Sequence, residues 1–285
     1  MTLKTTLLTA ASAVTLLATS GASATTLSIT FENNNGFGFL TTPVYAGFHD
    51  GGFDAFDAGS AASAGVEQVA ELPIPPFANV VDPDDPNGNT FGNRLAAERR
   101  ADQDGDGVDS QGAFIANGGP ILDGASATIE VDIANASVNQ YASFLAMVVP
   151  SNDTFFGNDN PLAYRLFDHA GNLILNNISI TAGMIYDAGT EINEFATSTA
   201  ADILLSNEEN GVITSIFGTD ADGDNGFENL AQLFGLGDVS SISPDTEFFR
   251  ISISEVAPVP LPASAPMLLA GLGLLGWRAR QAARD

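Results

Sequence analysis

The sequence predicts an all-β protein: an antiparallel β-sandwich with long loops and one or two short helices. Three observations lead there. Several short segments alternate apolar and polar residues with a period of two, as half-buried strands do. One segment, 143–149, is a continuous apolar run of the kind that suits a central strand. Between these segments the chain is punctuated by Gly, Asp, Asn and Pro, with 29 glycines in 285 residues. The abundance of Phe (19) over Trp (1) and Tyr (4) fits short strands joined by many turns.

In chain order, residues 27–31 (Leu-Ser-Ile-Thr-Phe) alternate and form the first predicted strand, and 43–48 form a second. Residues 61–72 have a weaker helical pattern and predict a short helix or turn. Residues 73–118 are mostly polar and read as a long insertion, a loop length usually reserved for function or mobility. Residues 127–133 alternate cleanly, and 143–149 follow as the central strand. His169, in 167–171, sits in a predicted hairpin turn. Residues 172–181 carry β-branched alternation around Asn176 and Asn177, a pattern that suggests a second hairpin. A short helix is expected at 230–236 and a final strand at 247–254.

The two ends read as addresses rather than as parts of the sandwich. Residues 1–24 hold one positive charge at Lys4, an apolar stretch from Leu7 to Ala18, and Ala22-Ser23-Ala24, a small-x-small cleavage signal. That is a secretory signal peptide cut before Thr25; the alternative, a membrane anchor, has a short run for a span. Residues 257–285 hold Val259-Pro-Leu-Pro-Ala263, an apolar segment at 265–277, and Arg278, Arg280 and Arg284. The basic end favours the cytoplasmic side. This tail resembles the VPLPA variant of the PEP-CTERM sorting signals of Gram-negative bacteria. The resemblance implies export, transient membrane retention and cleavage by an exosortase-type enzyme, in bacteria that make exopolysaccharide and biofilm. A simple C-terminal membrane anchor is the alternative. The body, 25–256, is left as one sandwich domain.

Charge narrows the function. The chain has 35 acidic and 9 basic side chains, a formal net charge of −26, 2 His and no Cys. Such a surface repels a phosphate backbone, which argues against nucleic acid as a partner. Without Cys there are no disulfides, thiolate zinc sites, iron–sulfur clusters or cysteine nucleophiles. Self-repulsion on this scale is relieved by high salt or by bound cations.

The carboxylates gather in three places. Asp102, Asp104 and Asp106, followed by Gly107, reproduce the front half of an EF-hand-type calcium loop, in which alternate residues aim oxygens at one ion. The closing Glu is missing, since position twelve is Ala113. Asp220, Asp222 and Asp224 repeat the spacing with Asn225 in place of the turn Gly. Each is either a looser calcium loop or a solvated acidic loop. The third set is split: Asp153 follows the central apolar strand, and Asp187 and Glu191 lie further on. Three carboxylates at strand ends can converge on one hard cation.

A longer resemblance links these acids. Thr41-Thr-Pro-Val44, Phe48-His49-Asp50-Gly51, Ala62-Ser63 and Val69-Ala70-Glu71 follow one another as in the spondin N-terminal domain. Met147-Val-Val-Pro-Ser-Asn-Asp153 and Tyr186-Asp187-Ala-Gly-Thr-Glu191 continue it. The resemblance implies a β-sandwich of secreted matrix and adhesion proteins with one calcium site, its ligands matching Asp153, Asp187 and Glu191. Animal domains end the second segment with Asp where this chain has Glu, and they carry disulfides that this chain lacks.

Catalysis finds little support. There is no Gly-x-Ser-x-Gly elbow, and the one Lys is Lys4, so no phosphate loop exists. His49 reads better as a hydrogen-bonded turn residue than as an acid–base group. The acids are too many to single out a glycosidase pair. The expectation is a non-enzymatic, calcium-binding protein of the cell surface or extracellular matrix, adhesive or structural in role. Its partners would be calcium, an exosortase-type processing enzyme, and exopolysaccharide or surface proteins; it would meet the membrane only through the tail. A carbohydrate-binding module and a secreted hydrolase are the alternatives.

Overall fold

The computed structural model describes residues 25–71, 111–115, 119–192, 210–217 and 242–257. The predicted signal peptide, the 230–236 helix, both Asp-rich loops and the C-terminal tail lie outside them. Among these residues eleven strands and one α-helix follow in order: β1 (Thr25–Asn33), β2 (Leu40–Thr41), β3 (Val44–His49), α1 (Ala64–Glu71), β4 (Gln111–Ile115), β5 (Ser126–Ile133), β6 (Tyr141–Val149), β7 (Thr154–Gly157), β8 (Asn177–Thr181), β9 (Ile185–Asp187), β10 (Thr214–Ser215) and β11 (Glu247–Glu255), with a single 3-10 turn at Ala182–Met184. They form an all-β, sandwich-like structure of antiparallel sheets.

The smaller sheet has the order β5-β1-β11-β8. Its period-two pattern divides the strands by face. Leu27, Ile29 and Phe31 of β1 and Ile251 and Ile253 of β11 are buried, while Ser28, Thr30 and Glu32 face outward across from Ser254, Ser252 and Arg250. The larger sheet runs β10-β9-β7-β6-β3-β4, with β2 also pairing β6. Between the sheets lies the main core. Phe156 of β7 stacks on Phe31 at 5.7 Å and sits 4.6 Å from Phe249, so rings from both sheets meet at one point. This aromatic contact is where the Phe-rich composition is spent.

The continuous apolar run of β6 has a structural reason. Phe144, Ala146 and Val148 pack in the main core, and Leu145 packs on the opposite face in a second cluster with Tyr45, Phe53, Phe56, Phe155, Val66 and Ala70. α1 closes that second face. Ser63 caps it by accepting the Val66 N–H through Oγ at 3.2 Å. The helix predicted within 61–72 is therefore present and covers the outer face of the larger sheet.

Two expectations are corrected. Asn176 and Asn177 do not turn a hairpin: Asn177 opens β8, where it faces solvent and its polarity costs nothing. The hairpin turn lies earlier, around His169 as expected: the Gly171 N–H reaches the Asp168 carbonyl, the Asp168 N–H reaches Asn172, and Phe167 bridges Leu173. The insertion at 73–118 is also too long. Its residues 111–115 form β4, paired with β3 from Val44↔Ile115 to Phe48↔Gln111.

Candidate metal centre

The loop after β6 places the first acid. The Val149–Pro150 peptide is cis. Ser151 Oγ accepts the Thr154 N–H at 3.1 Å, which closes a tight turn and delivers Asp153 to the start of β7. The β7–β9 ladder then pairs Thr154 with Asp187. One step beyond, the Ala188 N–H donates to the Asp153 carbonyl at 3.2 Å. Two acids 34 positions apart in sequence thus become neighbours through a strand ladder.

A second turn folds over them. Asp187 Oδ1 accepts the Gly189 N–H at 2.8 Å. Gly189 has φ +66°, and a Cβ there would lie 2.7 Å from the Val212 carbonyl oxygen. Only glycine fits this position. The turn brings the Thr190 N–H, the Thr190 hydroxyl and the Glu191 N–H onto Asp153 Oδ2 at 2.9, 3.2 and 3.1 Å. Beside them, Asn152 Nδ2 donates to the Ile192 carbonyl at 3.1 Å.

The electrostatics of the pair are unfavourable for two bare anions. Asp153 is fully buried and Asp187 nearly so. Burial first, and the charge of Asp187 second, push the Asp153 carboxyl up to about 8, against the pull of its three donors. Asp153 Oδ1, the oxygen those donors leave alone, is buried and has no hydrogen-bond partner. The two described arginines are engaged elsewhere, Arg250 with Glu247 and Arg165 with Gln140 and the Phe167 carbonyl. A buried, unpartnered carboxylate oxygen near a second carboxylate offers a hard divalent cation two of the roughly six to eight oxygen ligands that calcium takes.

Asp153 and Asp187 are brought together. Glu191 joins them through its backbone N–H, and among the described residues no three Asp, Glu or His side chains form a cluster around one point. Asp102, Asp104, Asp106, Asp220, Asp222 and Asp224 lie outside the described residues. Asn152 belongs to the same corner and was not foreseen. Its Oδ1 is also buried and unpartnered, and an amide beside the acid in Ser151-Asn152-Asp153 was the one signal for it.

His49 has the bonding expected of a structural turn residue. It is fully buried; its Nδ1 accepts the Gly51 N–H at 3.1 Å, which leaves Nε2 as the N–H donor to Ser143 Oγ at 3.0 Å. Asn158 Nδ2 donates to the same Oγ at 3.2 Å. In this tautomer His49 has no lone pair facing Ser143 and cannot take its proton.

Comparison with known proteins bears on the tail. Residues 258–281 match the PEP-CTERM protein-sorting motif. A motif of this kind marks an exported protein sorted by an exosortase, as the tail's resemblance implied. The chain matches no curated protein. Among the described residues no helix is long and apolar enough to cross a membrane; the 265–277 segment lies outside them.

Proposed function

We propose that this exported protein works at the cell surface or in the extracellular matrix, where its spondin-type sandwich holds one calcium ion at Asp153 and Asp187. The observation that carries this reading is the buried, unpartnered Oδ1 of Asp153 beside the Asp187 carboxylate. The resemblance of the 41–71 and 147–191 strings to the spondin N-terminal domain supports both the calcium and an adhesive or structural role. The sorting motif supports the location.

The ion's part is structural. It neutralises two carboxylates that otherwise repel and ties the 150–153 turn to the 187–191 turn. Extracellular calcium modules bind with dissociation constants of roughly 10⁻⁴–10⁻³ M. Free calcium at about 100 times that constant adds about 2.7 kcal/mol to folded stability. The test is calorimetric titration of the full chain with calcium, wild type against Asp187→Asn. One site that the substitution abolishes is the expected outcome. Binding unchanged in Asp187→Asn removes this site from the reading, and an absence of binding removes calcium altogether.

A further inference from the structure

The corner that holds the two acids contains a third oxygen of the right kind. Five buried side-chain atoms lack a hydrogen-bond partner among the described residues, and two of them, Asn152 Oδ1 and Asp153 Oδ1, belong to consecutive residues at this corner. An orphaned buried polar atom is costly, and two on consecutive residues that are both anchored to the 190–192 segment point to a common partner. We infer that Asn152 Oδ1 is a metal ligand, and that this site binds its ion through two carboxylates and one amide oxygen. The inference rests on the calcium reading above and departs from the three-carboxylate set that the spondin resemblance implies.

Three observations support it. The first is anchoring. Asn152 Nδ2 is held by the Ile192 carbonyl at 3.1 Å, which identifies Oδ1 as the oxygen left over and stops the side chain from turning away. Asp153 is fastened in the same way, its Oδ2 taken by the 190–191 backbone. Each side chain therefore spends one polar atom on the 190–192 segment and leaves the other unspent. Both are at least nine-tenths buried, with Asn152 at 5% exposure.

The second is charge. Two carboxylates neutralise a divalent cation, and a third carboxylate buried here would restore a net negative charge in a poorly solvated place. A neutral amide adds a donor without that cost. The third is chemistry: amide oxygens are ordinary calcium ligands, whereas magnesium, which keeps its waters, gains less from such a donor. Asn152 thus favours calcium over magnesium.

The test uses the full chain and the metals alone. Calcium and magnesium affinities are measured by calorimetry for wild type, Asn152→Ala and Asn152→Asp. The waters on bound terbium are counted from its luminescence lifetimes in H₂O and D₂O. Asn152→Ala is expected to weaken calcium at least about tenfold, to weaken magnesium less, and to add about one water to bound terbium, the vacated ligand position. Asn152→Asp keeps an oxygen and adds charge. It is expected to retain calcium binding while lowering the metal-free melting temperature, because a third acid is then buried at this corner. A packing role for Asn152 predicts otherwise: both variants lose stability and affinity together, with the water count unchanged. That result overturns the inference, as does a calcium affinity of Asn152→Ala within about twofold of wild type. If wild type binds calcium through Asp187 in either case, the calcium reading stands and only the role of Asn152 falls. If wild type binds none, both fall.

Discussion

At the scale of single residues, Asp153 sets the pH behaviour. Its ordinary value is 3.8 and the folded, metal-free protein raises it to about 8. The unfolded chain therefore gives up this proton near pH 4, while the folded chain keeps it. The stability that the protonated carboxyl contributes is complete below about pH 4 and is lost as the pH climbs to about 8. The melting temperature of chelator-treated protein is expected to fall across that window. With saturating calcium the fall should flatten, since the ion takes the proton's place, and apparent calcium affinity should rise toward pH 8. Thermal scans at several pH values, with calcium and with chelator, read both. A metal-free melting temperature that rises across the window contradicts the burial of this acid. Little of the pair was visible in composition or periodicity. Asp153 and Asp187 are 34 positions apart, in a chain crowded with acids; their places at predicted strand ends made them one candidate set among three, and the resemblance to a known domain set that one apart. Asn152 stayed hidden because an orphaned oxygen is a property of packing, not of spacing.

At the scale of elements, the turn that follows β9 depends on Gly189. Its positive φ and the closeness of Val212 leave no room for a side chain. Gly189→Ala is expected to cost about 1–3 kcal/mol and to abolish calcium-induced stabilisation, because the Thr190 and Glu191 N–H groups leave Asp153. Calorimetric scans with and without calcium measure both losses; an unchanged calcium shift would separate the turn from the site. The longer strands were legible because their patterns follow burial: alternation in β1 and β5, one face inward, and an unbroken apolar run in β6, both faces covered. The short strands β2, β7, β9 and β10 were not, since two to four residues are too few to show a period. The misread at Asn176 and Asn177 has a related cause. Local turn chemistry favours a bend there, but pairing with β11 holds Asn177 extended opposite Ser252.

At the scale of the whole molecule, charge is the dominant property. The net −26 is concentrated in the body, because four of the nine basic residues lie in the predicted terminal signals, and a body so acidic repels itself. Raising sodium chloride from about 0.05 M to about 1 M shortens the screening length from roughly 14 Å to 3 Å. The melting temperature of metal-free protein is expected to rise by several degrees as a result. A flat or falling curve would mean that repulsion does not limit this fold. Fold class and sorting address could both be read from the sequence, since each is written in local pattern. How the two sheets meet could not, because it depends on which rings face one another across the core.

The pairing of the first and last strands has a mechanical consequence. β1 and β11 are the two inner strands of the smaller sheet, matched from Leu27↔Glu255 to Asn33↔Phe249, and the Val256 N–H still reaches the Thr26 carbonyl. The sorting motif begins at residue 258, three positions past the end of β11. Tension entering through the tail therefore passes straight into a strand flanked by β1 on one side and β8 on the other. A pull along that strand loads two ladders in shear, with many backbone bonds resisting at once, whereas an edge strand peeled from one side would release them one by one. A tether joined to this sandwich is gripped by an inner strand, between two ladders rather than at an edge.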